Sequence, residues 1–123
     1  MADAERLGRK VVAGLPIISS ALLVDGGDGV RFSLERHGSV EPAFAIRHAS
    51  VAHAYLNRCG HISVELDWQP GKFFDDSGLY LICSTHGALY APHSGRCLGG
   101  RCNGRGLIPI GIVERNGNIY LKE

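Results

Sequence analysis

Cys59-Gly60-His61 and Cys83-Ser84-Thr85-His86-Gly87-Ala88-Leu89-Tyr90 are the stretches on which the reading of this chain turns. Two Cys and two His arrive as two pairs, C-x-H and then C-x-x-H, each with a Gly inside or beside it. Cys and His at such short spacings make metal ligation the first thing to test. Each pair puts one thiolate and one imidazole on one tight loop. A tetrahedral zinc accepts two Cys and two His, but its usual spacings keep the two Cys together and the two His together. Mixed pairs suit a two-iron cluster better, because each loop can then serve both irons, sulfur to one and nitrogen to the other.

The pattern C-x-H…C-x-x-H-G strongly resembles the Rieske family, in whose [2Fe–2S] centres one iron is held by two Cys and the other by two His. The resemblance covers about residues 17–121. It implies a [2Fe–2S] cluster with Cys59 and Cys83 on one iron and His61 and His86 on the other. It implies His rings near the surface, giving the electron a short way out. Gly60, Gly87, Gly99 and Gly100 are expected to let backbone N–H groups point at the sulfurs, since Gly allows the close approach and the unusual dihedrals. Ile62 falls where the family shields the cluster with an apolar residue. Tyr90 falls where high-potential members bond a ligand sulfur. Ala88 stands where those members carry a Ser that bonds a bridging sulfide. Val64 and Thr85 stand where they carry a disulfide between the cluster loops, so that bridge cannot form here. Residues 98–103 resemble a third, cluster-covering loop, with Arg101 where a Pro is usual.

At 123 residues the chain is one domain by length. Hydrophobic content of 45% and charged content of 20% are those of an ordinary globular domain. A formal net charge of +1 gives no global field that points to nucleic acid or to an anionic membrane. Seventeen Gly suit an all-β domain with many tight turns. The apolar run Val11–Val24 is too short to span a bilayer and is broken by Gly14 and Pro16. It reads as a first strand near Ile17-Ile18 and a helical turn within Ala21–Val24, in a cytoplasmic protein. Cys97 and Cys102 match no ligand position. They read as small loop residues, with a mutual disulfide as the alternative, cytosolic disulfides being uncommon.

Residues 1–10 read as a polar, poorly ordered end. Val30–Glu35 alternates apolar and polar as a half-buried strand does. Arg36–Ser39 is a turn, Pro42 opens the strand Ala43–Arg47, and Val51–Leu56 leads into Cys59. Val64–Trp68 reads as a short strand. Phe73-Phe74 and Leu79–Ile82 pair across Asp75–Gly78. Residues 97–106 read as loop, and Leu107–Val113 with Ile119–Leu121 form a last hairpin around Asn116-Gly117.

The fold expected is all-β: stacked antiparallel sheets over residues 1–123, with a cluster-binding subdomain at about 57–103. The function implied by the resemblance is one-electron transfer by a ferredoxin-like carrier between a reductase and an oxygenase, not an enzyme in its own right. Three other readings stand beside it: the small subunit of a nitrite-reductase-like complex, a redox-sensing module, and a zinc-stabilised interaction domain. Arg58, Arg96, Arg101 and Arg105 are expected to give the cluster a basic rim that meets an acidic partner.

Overall fold

The structure, a computed structural model, describes residues 9–12, 14–59, 64–100, 102 and 104–122. Their strands are β1 (Arg9–Lys10), β2 (Ile18–Ser19), β3 (Val30–Arg36), β4 (Ser39–His48), β5 (Val51–Leu56), β6 (Leu81–Ile82), β7 (Leu89–Tyr90), β8 (Cys97–Gly99), β9 (Pro109–Ile110), β10 (Ile112–Arg115) and β11 (Asn118–Leu121). A single 3-10 turn, Ser20–Leu22, follows β2. Three sheets result, with strand orders β1-β3-β4-β5-β9, β10-β11-β2 and β6-β7-β8. Every pairing is antiparallel except that of β1 with β3. The fold is all-β, and among the described residues no helix is long and apolar enough to cross a membrane.

Alternation along the strands sorts side chains to two faces of the large sheet. Val30, Phe32 and Leu34 of β3, Ala43 and Ala45 of β4, and Ala54 and Leu56 of β5 share one core with Ile17, Ile18, Leu23 and Ile119. The intervening Phe44, Ile46 and Tyr55 enter a second core with Leu66, Phe73, Leu81, Cys83, Tyr90 and Leu107. The large sheet is therefore covered on both faces. One face carries the small sheet of β2, β10 and β11. The other carries β6–β8 and the loops around them. Arg31, the polar neighbour of Phe32, lies on the second face, where its side chain meets Glu65 and Asp67.

Two-residue turns with both central residues in the left-handed region set the register of three hairpins. His37-Gly38 joins β3 to β4, and Asn116-Gly117 joins β10 to β11, as the twist of paired strands favours. The β4–β5 turn, Ala49-Ser50, has positive φ at both positions without any Gly. The Asp25 carboxylate accepts both of its N–H groups and holds it in place. Arg47 ties the neighbourhood together: its guanidinium donates to the carbonyls of Ser20, Leu23 and Ser50 and to both carboxylate oxygens of Glu114 on β10.

Several sequence expectations need correction. Of the polar end expected over residues 1–10, Arg9-Lys10 pairs with Phe32-Ser33, and residues 1–8 lie outside the described residues. The strand holding Pro42 begins earlier, at Ser39. Val64–Trp68 is not a strand. Its backbone is held from outside, with Cys59 N–H donating to Val64 O and Ser84 N–H to Leu66 O. Residues 97–106 are not pure loop, since Cys97–Gly99 pairs with β7. Leu107–Val113 divides at Gly111, giving β9 to the large sheet and β10 to the small one. Cys97 and Cys102 are not independent loop residues but form a disulfide, with Cα atoms 6.0 Å apart. By contrast Val30–Glu35 and Val51–Leu56 are strands as expected, the first running one residue further, to Arg36.

Candidate metal centre

The two Cys/His loops leave the second core side by side. Cys59 lies three residues beyond the end of β5, and Cys83 directly follows β6. The second loop is a tight reversal: Gly87 N–H donates to Cys83 O at 2.7 Å, and Cys83 N–H to Ala88 O at 2.9 Å. Gly87, at φ +72°, supplies the left-handed residue this reversal needs. The first loop is approached through buried polar groups. The Asn57 side chain accepts from Leu66 N–H at 2.9 Å and donates to Asp67 at 3.0 Å. Asp67 also accepts from Gly71 N–H and pairs with Arg31 at 3.2 Å. The chain on either side of residues 60–63 is thereby held to the large sheet.

One sulfur each from Cys59 and Cys83 and a ring nitrogen of His86 come together, all within 4.8 Å of one another. Both cysteines are buried and neither belongs to a disulfide. His86 is half-buried, with Nδ1 turned toward the Cys83 sulfur at 3.7 Å. The Tyr90 hydroxyl lies 3.4 Å from the Cys59 sulfur. Burial is the largest influence on the Cys83 thiol and pushes its pKa up. The backbone N–H of His86 opposes this, the Cys59 side chain adds to it, and the N–H of Thr85 opposes it again. Two sulfurs packed together in an apolar interior are a poor place for two bare thiolates. They are a good place for thiolates shared with iron, which supplies the missing positive charge. The backbone N–H groups of His86 and Thr85 favour the thiolate form of the Cys83 sulfur. The donor set fits an iron–sulfur cluster.

The other expected site residues fall as follows. Ala88 is fully buried behind the second loop. Gly100, at φ +84°, lies so close to that loop that a Cβ there would sit 2.9 Å from the Ala88 Cα and 3.1 Å from the Gly87 carbonyl. Gly99 has open space where a Cβ would lie and belongs to β8. Gly60, His61 and Ile62 lie outside the described residues. Of the expected basic rim, Arg96 and Arg105 are exposed, Arg101 lies outside the described residues, and Arg58 is paired with Glu41 at 2.7 Å. Arg58 is therefore no free cation for a partner. Sequence reasoning missed the Arg31–Asp67–Asn57 network, whose members are far apart in the chain. The Cys97–Cys102 bond, the alternative to plain loop residues, forms in the structure.

An all-β domain that gathers two buried Cys and a His on adjacent loops is, as a class, a small metalloprotein of the iron–sulfur type. The sequence profile of the Rieske [2Fe-2S] domain matches residues 28–114, and the chain belongs to that family. Its cofactor is a [2Fe–2S] cluster. Comparison with curated proteins gives no match. Among solved structures, the chain is similar to a ferredoxin of Sphingomonas yanoikuyae B1, with a TM-score of 0.67, 16% identity, and coverage of 89% of this chain and 97% of that one. It is similar to the ferredoxin of carbazole 1,9a-dioxygenase from Nocardioides aromaticivorans IC177, with a TM-score of 0.64, 15% identity, and coverage of 89% and 97%. The terminal oxygenase of carbazole 1,9a-dioxygenase from Novosphingobium sp. KA1 has a TM-score of 0.65 and 22% identity; there the match covers 95% of this chain but 31% of the oxygenase chain.

Proposed function

We propose that this protein is a one-electron carrier, taking electrons from a reductase and delivering them to an oxygenase. In this reading Cys59 and Cys83 hold one iron of the cluster, and His61 and His86 hold the other. The observation that carries it is the convergence of Cys59, Cys83 and His86 at the tips of two adjacent loops. His61, one residue beyond Gly60, supplies the fourth ligand. The bound cluster supplies reversible one-electron chemistry, and imidazoles in place of two thiolates raise its potential above that of all-Cys clusters. The chain's own residues do the rest. The second core keeps water from the sulfurs. Tyr90 donates a hydrogen bond to the Cys59 sulfur, and half-buried His86 forms the exit toward a partner.

One fact favours a carrier over a catalytic subunit: the fold matches ferredoxins over nearly their whole length but only a third of an oxygenase chain. The similar ferredoxin of a carbazole dioxygenase system supports an oxygenase as the electron acceptor; a cytoplasmic site of work is part of the proposal. The test is iron and acid-labile sulfide content of Cys59→Ser, His61→Ala, Cys83→Ser and His86→Ala, with His93→Ala as control. Loss of the cluster is expected in the first four and full content in the control. Full content in His61→Ala overturns the ligand assignment.

A further inference from the structure

We propose that the Cys97–Cys102 disulfide is a redox-responsive clamp that positions the second ligand loop, so that reduction by a dithiol loosens the metal centre. The proposal rests on the carrier reading above. It starts from a chain of contacts. Cys97 lies on β8, where it pairs with Tyr90, and Gly99 pairs with Leu89 across a register shift in β7. The disulfide closes the segment that follows β8 back onto that strand. Inside the closed segment, Gly100 rests against the backbone of Gly87 and Ala88 with no room for a side chain. Gly87 and Ala88 in turn complete the reversal that carries Cys83 and His86. The clamp thus acts on two proposed ligands through one backbone contact. The segment needs such help: with Gly99 and Gly100 in it, its backbone has much freedom to lose.

The bond closes a loop of only a few residues, so its restraint on the whole unfolded chain is small and its effect is local. In a glutathione-buffered compartment a disulfide is as a rule catalytic or redox-sensing rather than structural. The two sulfurs also differ in access, Cys97 being half-buried and Cys102 fully buried. A thiolate of the reductant attacks the Cys97 sulfur, the S–S bond breaks, and Cys102 leaves as a thiolate that takes up a proton. The reductant's second thiolate then displaces Cys97, which is protonated likewise. Cys97 and Cys102 gain two electrons and two protons, and the reductant departs as its own disulfide.

The experiment treats cluster-loaded protein with dithiothreitol or with glutathione buffers of graded ratio, and reads three quantities. Alkylation and mass report the state of Cys97 and Cys102. Hydrogen exchange is followed in peptides covering residues 83–90 and 30–56. Loss of visible absorption to an iron chelator gives the cluster's lifetime. On reduction, exchange in 83–90 and cluster loss should each accelerate by about tenfold, while 30–56 stays unchanged. The double variant Cys97→Ser with Cys102→Ser should load a cluster, show the faster rates without reductant, and ignore reductant. Should that variant not fold, reduction of the native protein decides alone. Thiols that stay bonded in dithiothreitol while the protein is folded, or unchanged exchange in 83–90 after reduction, overturn the clamp. Protein purified without iron and sulfide overturns the carrier reading instead, and exchange in 83–90 still reads the clamp.

Discussion

The two faces of the large sheet are stabilised by different means. On the side of β2, β10 and β11, a core of Ile, Leu, Phe, Val and Ala is closed by strands that alternate regularly and by three two-residue turns. On the metal side, the strands β6, β7 and β8 are two or three residues long. The core there includes Cys59, Cys83 and Cys102, and its fittings are a disulfide, a buried Asn–Asp–Arg network and a metal centre. A unit this small buries too little apolar area to hold itself by packing. Covalent and metal links do for it what a ladder of strand hydrogen bonds does for the base, and they let the ligand loops be shaped by function rather than by pleat.

If that contrast holds, removing the metal should melt one side only. Cys83→Ser or His86→Ala should abolish the cluster and raise hydrogen exchange across 81–99 by orders of magnitude, with 30–48 and 112–121 protected as before. Loss of protection on both sides would mean that the two faces fold as one unit. A smaller break targets the seam. Phe44 is fully buried on the metal side of β4 and stacks on Phe73 with ring centroids 4.0 Å apart. Phe44→Ala should cost about 3–5 kcal/mol in denaturant unfolding.

Asp67→Asn tests the buried network. It removes a carboxylate that faces Arg31 and should cost about 2–3 kcal/mol, with faster cluster loss as the first loop loosens. An unchanged midpoint would show that Glu65 alone satisfies Arg31. Finer still is the tuning of the potential. A donor to a ligand sulfur stabilises the reduced, more negative cluster more than the oxidised one. Tyr90→Phe should therefore lower the potential by some tens of millivolts in voltammetry, about 59 mV being tenfold for one electron. Ala88→Ser should shift it upward by a similar amount; a fall would show that the buried Ala88 site has no room to aim a hydroxyl.

The smallest effect lies in the base. The hydrogen bonds from Arg47 hold the Glu114 carboxyl below the usual carboxylate range. A depressed folded pKa contributes stability above the unfolded value of about 4.3, and that contribution is lost as pH falls through the folded value. Glu114 is well exposed, so the effect should stay below about 1 kcal/mol. Glu114→Gln should remove this part of the acid dependence and leave cluster content untouched.

The amino-acid sequence alone determined the strands whose sides face different media. Val30–Glu35 is legible because a period of two puts every second side chain in a core. It also determined the family and cofactor, because ligand chemistry forces Cys and His to short spacings on a loop. Tertiary structure decided what depends on approach between distant segments. Alternation predicts one buried face for β3, yet Arg31 also ends in a closed environment, because the segment around Glu65 and Asp67 folds over it. The Ala49-Ser50 turn carries no Gly and is invisible in sequence; Asp25, from another part of the chain, sustains it. Val64–Trp68 has the composition of a strand but finds its hydrogen-bond partners at Asn57, Cys59 and Ser84 instead of in a sheet. Cys97 and Cys102 become a bond only because β8 pairs with β7 and the following turn brings their Cα atoms to 6.0 Å. Local patterns record which side of a strand meets water, whereas closure of a loop onto a remote partner depends on geometry that no neighbouring residue encodes.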